Sequence, residues 1–317
     1  MDELIKLRAT CVLKCLALTV LSVLSLSPAA AGDETEQLLL EKFRAGNYSS
    51  SGADTCLRCH DDAATAASFL QSVHGDTASP HGPMAKLQCE TCHGPRGKHR
   101  GRNEPMIQFG ASANVSPELQ NSVCLSCHMQ DADESWHLGT HDIEDLACAD
   151  CHQVHAANDP IRDPVGQVTK CTSCHLEQRA AMNKRSHHPL AGAQAGSVMT
   201  CVSCHNPHGS LSEADLNSVS LNDNCVGCHA EFRGPVLWEH EPVVEDCSTC
   251  HEPHGSVNDA LLAQRAPQLC QGCHASDGHV SRVLDNSSDA FVAGQSCLNC
   301  HSQVHGSNHP SGALLSQ

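Results

Sequence analysis

Aromatic residues are nearly missing from this chain: five Phe, two Trp and one Tyr in 317 residues. Those side chains ordinarily supply much of a protein's buried apolar area. A chain long enough for one or two domains is therefore short of material for an ordinary core. Long hydrophobic runs are scarce as well. The stretch Leu16–Leu26 is too short to cross a bilayer, and nothing after it approaches 18 apolar residues, which excludes a helical membrane span of the chain's own. Basic charge is in deficit, with 19 Lys and Arg against 36 Asp and Glu and a formal net charge of −17. That excludes nucleic acid as a partner, because backbone binding needs a basic face, and it suits docking against a basic surface. With 22 Gly, 15 Pro and few apolar stripes of helical period, long helices have little to build on.

Cysteine and histidine are what the chain has instead, 22 and 24 of them. Twenty of the cysteines fall in ten copies of Cys-x-x-Cys-His, at Cys56–His60, Cys89–His93, Cys124–His128, Cys148–His152, Cys171–His175, Cys201–His205, Cys225–His229, Cys247–His251, Cys270–His274 and Cys297–His301. Each reads as a covalent haem c attachment. Two cysteines form thioethers (Cys56 and Cys59, Cys89 and Cys92, Cys124 and Cys127, Cys148 and Cys151, Cys171 and Cys174, Cys201 and Cys204, Cys225 and Cys228, Cys247 and Cys250, Cys270 and Cys273, Cys297 and Cys300), and the histidine is the proximal iron ligand. A disulfide framework has no need of a histidine after every second cysteine. Tetrahedral zinc sites need four ligands at closing distance and leave the ten histidines unexplained. The expected cofactor is ten haem c groups. The expected fold is a multihaem cytochrome c, mostly irregular coil with short helices wrapped around an extended chain of ten haems.

Residues 1–31 read as a secretory signal peptide. Lys6, Arg8 and Lys14 precede the apolar run, and Pro28-Ala-Ala-Ala31 offers small residues for cleavage before Gly32. Cys11 and Cys15, the two cysteines outside the motifs, would leave with it. Covalent haem attachment requires reduced cysteines outside the cytoplasm, so the expected compartment is the periplasm. A polar lead-in follows at 32–54, in which Glu34–Phe43 could form a short helix with Leu38, Leu39 and Phe43 on one side, capping the first haem or docking a partner.

The remainder, 55–317, is one decahaem domain built of repeats. Motifs opening at 56, 124, 171, 225 and 270 follow polar or helical approaches and act as leaders. Those at 89, 148, 201, 247 and 297 come after a histidine-bearing linker, have another histidine behind them, and act as followers. Five two-haem modules result, at about 55–121, 122–168, 169–222, 223–267 and 268–317, stacked in a row as repeat units are.

The sixth iron position decides the chemistry, since an open site binds substrate and a closed one transfers electrons. Fourteen histidines lie outside the motif positions, enough to close all ten irons. The distal candidates are His74, His141, His188, His240 and His279 in the linkers, with His99, His155, His208, His254 and His305 behind the followers. His81, His137, His187 and His309 are spare, and His187 could trade places with His188. A histidine three residues past a proximal one sits on the same side of that porphyrin, so it serves a neighbouring iron. Bis-histidine closure implies low potentials and no catalytic residues. A linear row of ten porphyrins would run about 80–100 Å, against about 30 Å for the hydrocarbon core of a membrane.

With Glu90-Thr-Cys-His-Gly-Pro-Arg-Gly-Lys-His99, Cys148-Ala-Asp-Cys-His-Gln-Val-His155, Cys201-Val-Ser-Cys-His-Asn-Pro-His-Gly209 and Trp238-Glu-His-Glu-Pro-Val243, the chain resembles the MtrA/DmsE family of periplasmic decahaem cytochromes from about Thr55 to Gly306. That resemblance implies a conduit seated in an outer-membrane β-barrel porin. It would take electrons from periplasmic or inner-membrane cytochrome donors and exchange them with a cell-surface multihaem cytochrome or terminal reductase. It does not fix the direction of flow. Two other readings stand beside it: a soluble periplasmic electron shuttle, and a multihaem reductase with one open haem, the Cys270–His274 site if His279 does not ligate.

Overall fold

The computed structural model describes residues 29–61, 66–100, 104–129, 135–192, 194–274 and 296–316. The expected signal lies almost wholly outside the described residues, as does His279. The chain divides into two compact units, 1–124 and 125–317.

The first unit has a small conventional core. Helix α1 (Ala29–Ala45) turns Leu39 toward Ile107 and Val115, with Phe43, Phe109, Leu119 and Val123 packed against them. Leu39 and Phe43 are one turn apart on α1, and Leu119 and Val123 are one turn apart on α2 (Pro117–His128), so each helix offers a single apolar stripe. Leu38, expected on the same side as Leu39, is 47% exposed. Adjacent helical residues are rotated about 100° from one another, and only one of the two can face the core. Ser116 caps α2, its Oγ accepting from the Leu119 N–H, while Pro117 takes the first helical position, where no N–H is needed. The Glu36 carboxylate of α1 accepts from the Ser116 N–H. Glu90, inside the second motif, is buried, and its carboxylate accepts from Ser49 N–H at 2.9 Å and Arg96 N–H at 2.6 Å. The lead-in is thereby fastened to the first follower.

The second unit is put together differently. Among its described residues the buried hydrophobic ones are Trp136, Ala147, Val168, Ala181, Ala191 and Leu216, half of them alanine. So little apolar volume does not hold a unit of this length together by itself. Regular structure is short. Helix α3 (Pro164–Cys174), capped by the Asp163 carboxylate on Gly166 N–H at 2.9 Å, is followed by helices of five or six residues and by 3₁₀ turns. Pairing among the described residues is confined to isolated bridges such as Ser186 with Ser256 and Trp238 with Ser307. The architecture is the irregular coil with short helices that a haem-centred chain requires.

Leader motifs come at the ends of helices, whereas follower motifs open helical turns, of α type at Cys89 and Cys148. Cys124, Cys171, Cys225 and Cys270 occupy the last turns of helices, α2, α3, Leu221–Val226 and Ala266–Gln271. The followers at Cys201, Cys247 and Cys297 open 3₁₀ turns. The polar approach before each leader is what supplies the helix.

Candidate functional site

In the second unit the histidines meet in twos. The ring of His141 lies opposite His175 with centroids 6.1 Å apart, His152 opposite His208 at 6.1 Å, and His188 opposite His229 at 6.4 Å. His205 faces His254 at 6.1 Å, His240 faces His274 at 6.3 Å, and His251 faces His305 at 6.0 Å. Each pair joins one motif histidine to one from a linker or from behind a follower. A metal–nitrogen bond of about 2 Å on each side puts two imidazole centroids about 6 Å apart, so the spacing fits a single iron between the rings. Among the described residues, no group of three or more His, Cys, Asp and Glu is arranged to hold a metal ion. Two axial donors per site suit an iron whose other four donors come from a porphyrin.

The pairs obey one rule. A linker histidine meets the proximal histidine of the next leader (His141 with His175, His188 with His229, His240 with His274). A histidine behind a follower meets the proximal histidine of the preceding follower (His208 with His152, His254 with His205, His305 with His251). Every pair therefore spans two modules.

Backbone carbonyls aim the rings. Nδ1–H donates to Ile107 O from His93, to Ala214 O from His205, to Ala260 O from His251 and to Leu314 O from His301, at 2.7–2.8 Å. His99 donates likewise to Glu104 O at 2.8 Å. Committing Nδ1 to a carbonyl fixes the tautomer and leaves Nε2 as the ligand. Burial also holds His93, His254 and His305 below the ordinary imidazole pKa, which favours the neutral ligating form.

The linker histidines use their Nδ1 to lock modules together. His141 donates to Pro207 O at 2.9 Å, His188 to Pro253 O at 2.8 Å and His240 to Val304 O at 2.9 Å. In each case the acceptor immediately precedes a histidine that stands behind a follower, His208, His254 or His305. A glycine follows each of those: Gly209, Gly255 and Gly306, with φ of 104°, 146° and 113°. A Cβ on Gly255 would come within 2.1 Å of Ala181 O, a backbone atom that cannot yield. Gly255→Ala is expected to destabilise the second unit by at least about 3 kcal/mol, combining left-handed strain with a backbone clash. Gly196→Ala, at φ 79° with nothing within 4 Å, carries the strain alone and should lose about 1 kcal/mol. Denaturation midpoints of the two variants check the difference.

The cysteines place consecutive motifs side by side. Within modules, first cysteines touch: Cys56 with Cys89, Cys171 with Cys201, Cys225 with Cys247, and Cys270 with Cys297. Between modules, second cysteines lie close: Cys151 to Cys174, Cys204 to Cys228, and Cys250 to Cys273. As free thiols these contacts perturb one another. Donation from Cys171 lowers Cys201 to about 7, while Cys171 itself is raised.

The remaining candidates fall as follows. His74 and His155 are engaged with neighbours of their own. Among the spares, His137 is exposed and pairs with Asp142 at 3.1 Å, and His309 Nδ1 bonds Ser311 Oγ at 2.8 Å. His187 Nδ1–H donates to His188 O at 2.9 Å, which leaves His188 facing His229. Sequence reasoning did not single out Trp136. It is buried against the His208 ring, and its Nε1–H has no protein partner, a donor suited to a propionate.

Three family models match the chain: the doubled CXXCH motif at 187–234 and 240–279, the cytochrome c-type protein NrfB-like model at 89–174, and cytochrome c554 and c-prime at 30–94. The multiheme cytochrome MtrA of Shewanella baltica is 58% identical over 292 residues, covering 89% of this chain and 86% of that protein. The chain belongs to the MtrA/DmsE family of decahaem c-type cytochromes. A second relative, the cytochrome c-type protein NrfB of Haemophilus influenzae, is 31% identical over 121 residues, covering 35% of this chain and 53% of that protein. As an MtrA/DmsE member the chain carries ten covalently bound haem c groups and serves periplasmic electron transfer as a carrier, not an enzyme. The doubled-motif matches begin at a linker histidine and run through a follower into the next leader. That frame straddles the seam between the modules drawn from the spacing, and in this family member the histidine pairs straddle it too.

Proposed function

We propose that this chain is the conduit member of an outer-membrane electron-transfer complex, seated in a separate β-barrel and linking periplasmic cytochrome donors to a cell-surface multihaem cytochrome or terminal reductase. The observation that carries the reading is the set of six opposed histidine pairs at 6.0–6.4 Å. In this reading the twenty motif cysteines hold the porphyrins, the motif histidines are proximal ligands, and the linker and tail histidines close the opposite faces. When bound, the haems supply one-electron Fe(III)/Fe(II) chemistry. The chain's own residues fix the imidazole tautomers, keep substrates off the irons, and order the motifs so that each follows the last. A carrier with closed sites and an acidic surface fits a conduit and also a soluble shuttle; family membership favours the conduit.

Fractionation of the native host separates the two. Retention of the haem-stained band in the outer membrane after a high-salt wash, with a β-barrel protein co-purifying, is the expected result. Release into the soluble periplasm without a barrel would make the shuttle the answer.

A further inference from the structure

Two followers share one plan for holding the proximal histidine. In those opening at Cys201 and Cys247, the carbonyl nine residues on accepts its Nδ1–H, from His205 to Ala214 O and from His251 to Ala260 O, both at 2.8 Å. The next carbonyl accepts the N–H of the residue after the histidine, from Asn206 to Asp215 O and from Glu252 to Leu261 O, both at 2.7 Å. At the follower opening at Cys148 a single side chain fills both seats. Asp159 Oδ2 accepts from His152 Nδ1–H at 2.7 Å, and Oδ1 accepts from Gln153 N–H at 3.1 Å. Ile161 N–H also donates to Oδ1, at 3.4 Å, and the Asp159 side chain is only 16% exposed. A pair of neutral carbonyl dipoles has been exchanged for one fixed, largely buried carboxylate.

We infer that Asp159 is a positioning residue that sets the haem held by His152 at a lower reduction potential than the haems held by His205 and His251. A carboxylate draws the Nδ1 proton more strongly than a carbonyl does, which makes the imidazole a more basic ligand and favours Fe(III) over Fe(II). The formal negative charge acts in the same direction, and weak solvent access leaves it little screened. Other charges near this motif are Asp150 and Lys170, opposite in sign and felt at Cys151. Neither bonds the ligand ring. The His229–Glu231 pair is not equivalent: it is 3.6 Å apart with side chains 53% and 62% exposed, outside hydrogen-bond range and open to water. The haem of the fourth motif is therefore set below those of the sixth and the eighth, a position that hands electrons toward them and does not store them.

The inference rests on His152 being an iron ligand, and its test keeps the two apart. Redox titration of the full ten-haem protein, followed in the α-band and by low-temperature EPR, is compared with Asp159→Asn, whose amide oxygen still accepts from the ring but carries no charge. About one tenth of the amplitude should move upward by roughly tenfold in the Fe(III)/Fe(II) equilibrium, about 59 mV for one electron. One low-spin EPR component should shift while the haem count stays unchanged. Asp142→Asn, which strips the carboxylate from exposed His137, should move nothing. Superimposable titrations and EPR spectra for Asp159→Asn and the parent would overturn the inference. If the Asn variant binds fewer haems, Asp159→Glu decides: ten haems with the parental titration supports tuning, and ten haems with the upward shift overturns it. An unchanged low-spin spectrum in His152→Ala would remove the ligand assignment itself.

Discussion

Replacing Cys225 and Cys228 with alanine should leave a protein with one haem fewer than its ten motifs specify and almost no end-to-end electron transfer. The motif at Cys225–His229 is flanked on both sides: Cys228 lies near Cys204 of the preceding motif, and Cys225 touches Cys247 of the next. From the motif at Cys148 to that at Cys297, motifs that follow one another in sequence are neighbours in space, and the contact that bypasses the missing member is the His205–His254 pair, a much weaker coupling than a haem in between. Electrons introduced at one end would have to pass from the motif at Cys201 to that at Cys247 without the haem between them. Pyridine haemochrome analysis gives the haem count. Electron flux in outer-membrane vesicles carrying the complex gives the transfer rate, expected to fall to that of vesicles lacking the cytochrome. Parental flux with one haem missing would mean that the order of motifs in the chain is not the order of transfer. Every remaining haem should still reduce with a small diffusible donor, which separates a broken path from a misfolded protein.

Much of this molecule was legible without coordinates, and the reason is chemical. A covalent haem site is written in five consecutive residues, so each motif and its proximal histidine could be read locally, and aromatic poverty already said that something other than side chains forms the interior. Distal ligation is a long-range property, and spacing does not encode it. The notion that a histidine three residues past a proximal one must serve another iron follows from local geometry. Which ring it meets depends on a fold in which His208 lies opposite His152, 56 positions away. The α1 side of the first unit's apolar cluster, Leu39 and Phe43, was legible as a stripe, but its partners Ile107 and Val115 escaped notice because they lie in stretches without periodic pattern and reach Leu39 only through the fold. Asp159 escaped for the same reason. An aspartate before a proline reads as a turn residue, and it does cap the 3₁₀ turn Pro160–Arg162; nothing in the sequence says that its other oxygen holds His152.

The adjacent histidines at 187 and 188 offer the sharpest test of the ligand rule, because the sequence treats them alike and the structure does not. His188 faces His229 at 6.4 Å and donates Nδ1–H to Pro253 O, the residue before His254. His187 only donates to the carbonyl of His188. His188→Ala should remove the sixth ligand from the iron of His229 and release one of the locks between modules. About a tenth of the haem should turn high-spin in the ferric spectrum, with its potential raised, because the donation that favours Fe(III) is halved. That iron should also bind carbon monoxide or imidazole, which the parent should not. The lock lost with it is one hydrogen bond, about 1 kcal/mol, so the fold should survive. His187→Ala should keep the parental spectrum and bind no added ligand. Exogenous imidazole restoring the low-spin spectrum of His188→Ala would place the opening at the iron itself. The reverse pattern, with His187→Ala high-spin and His188→Ala silent, would exchange the two histidines and with them the register of the third module.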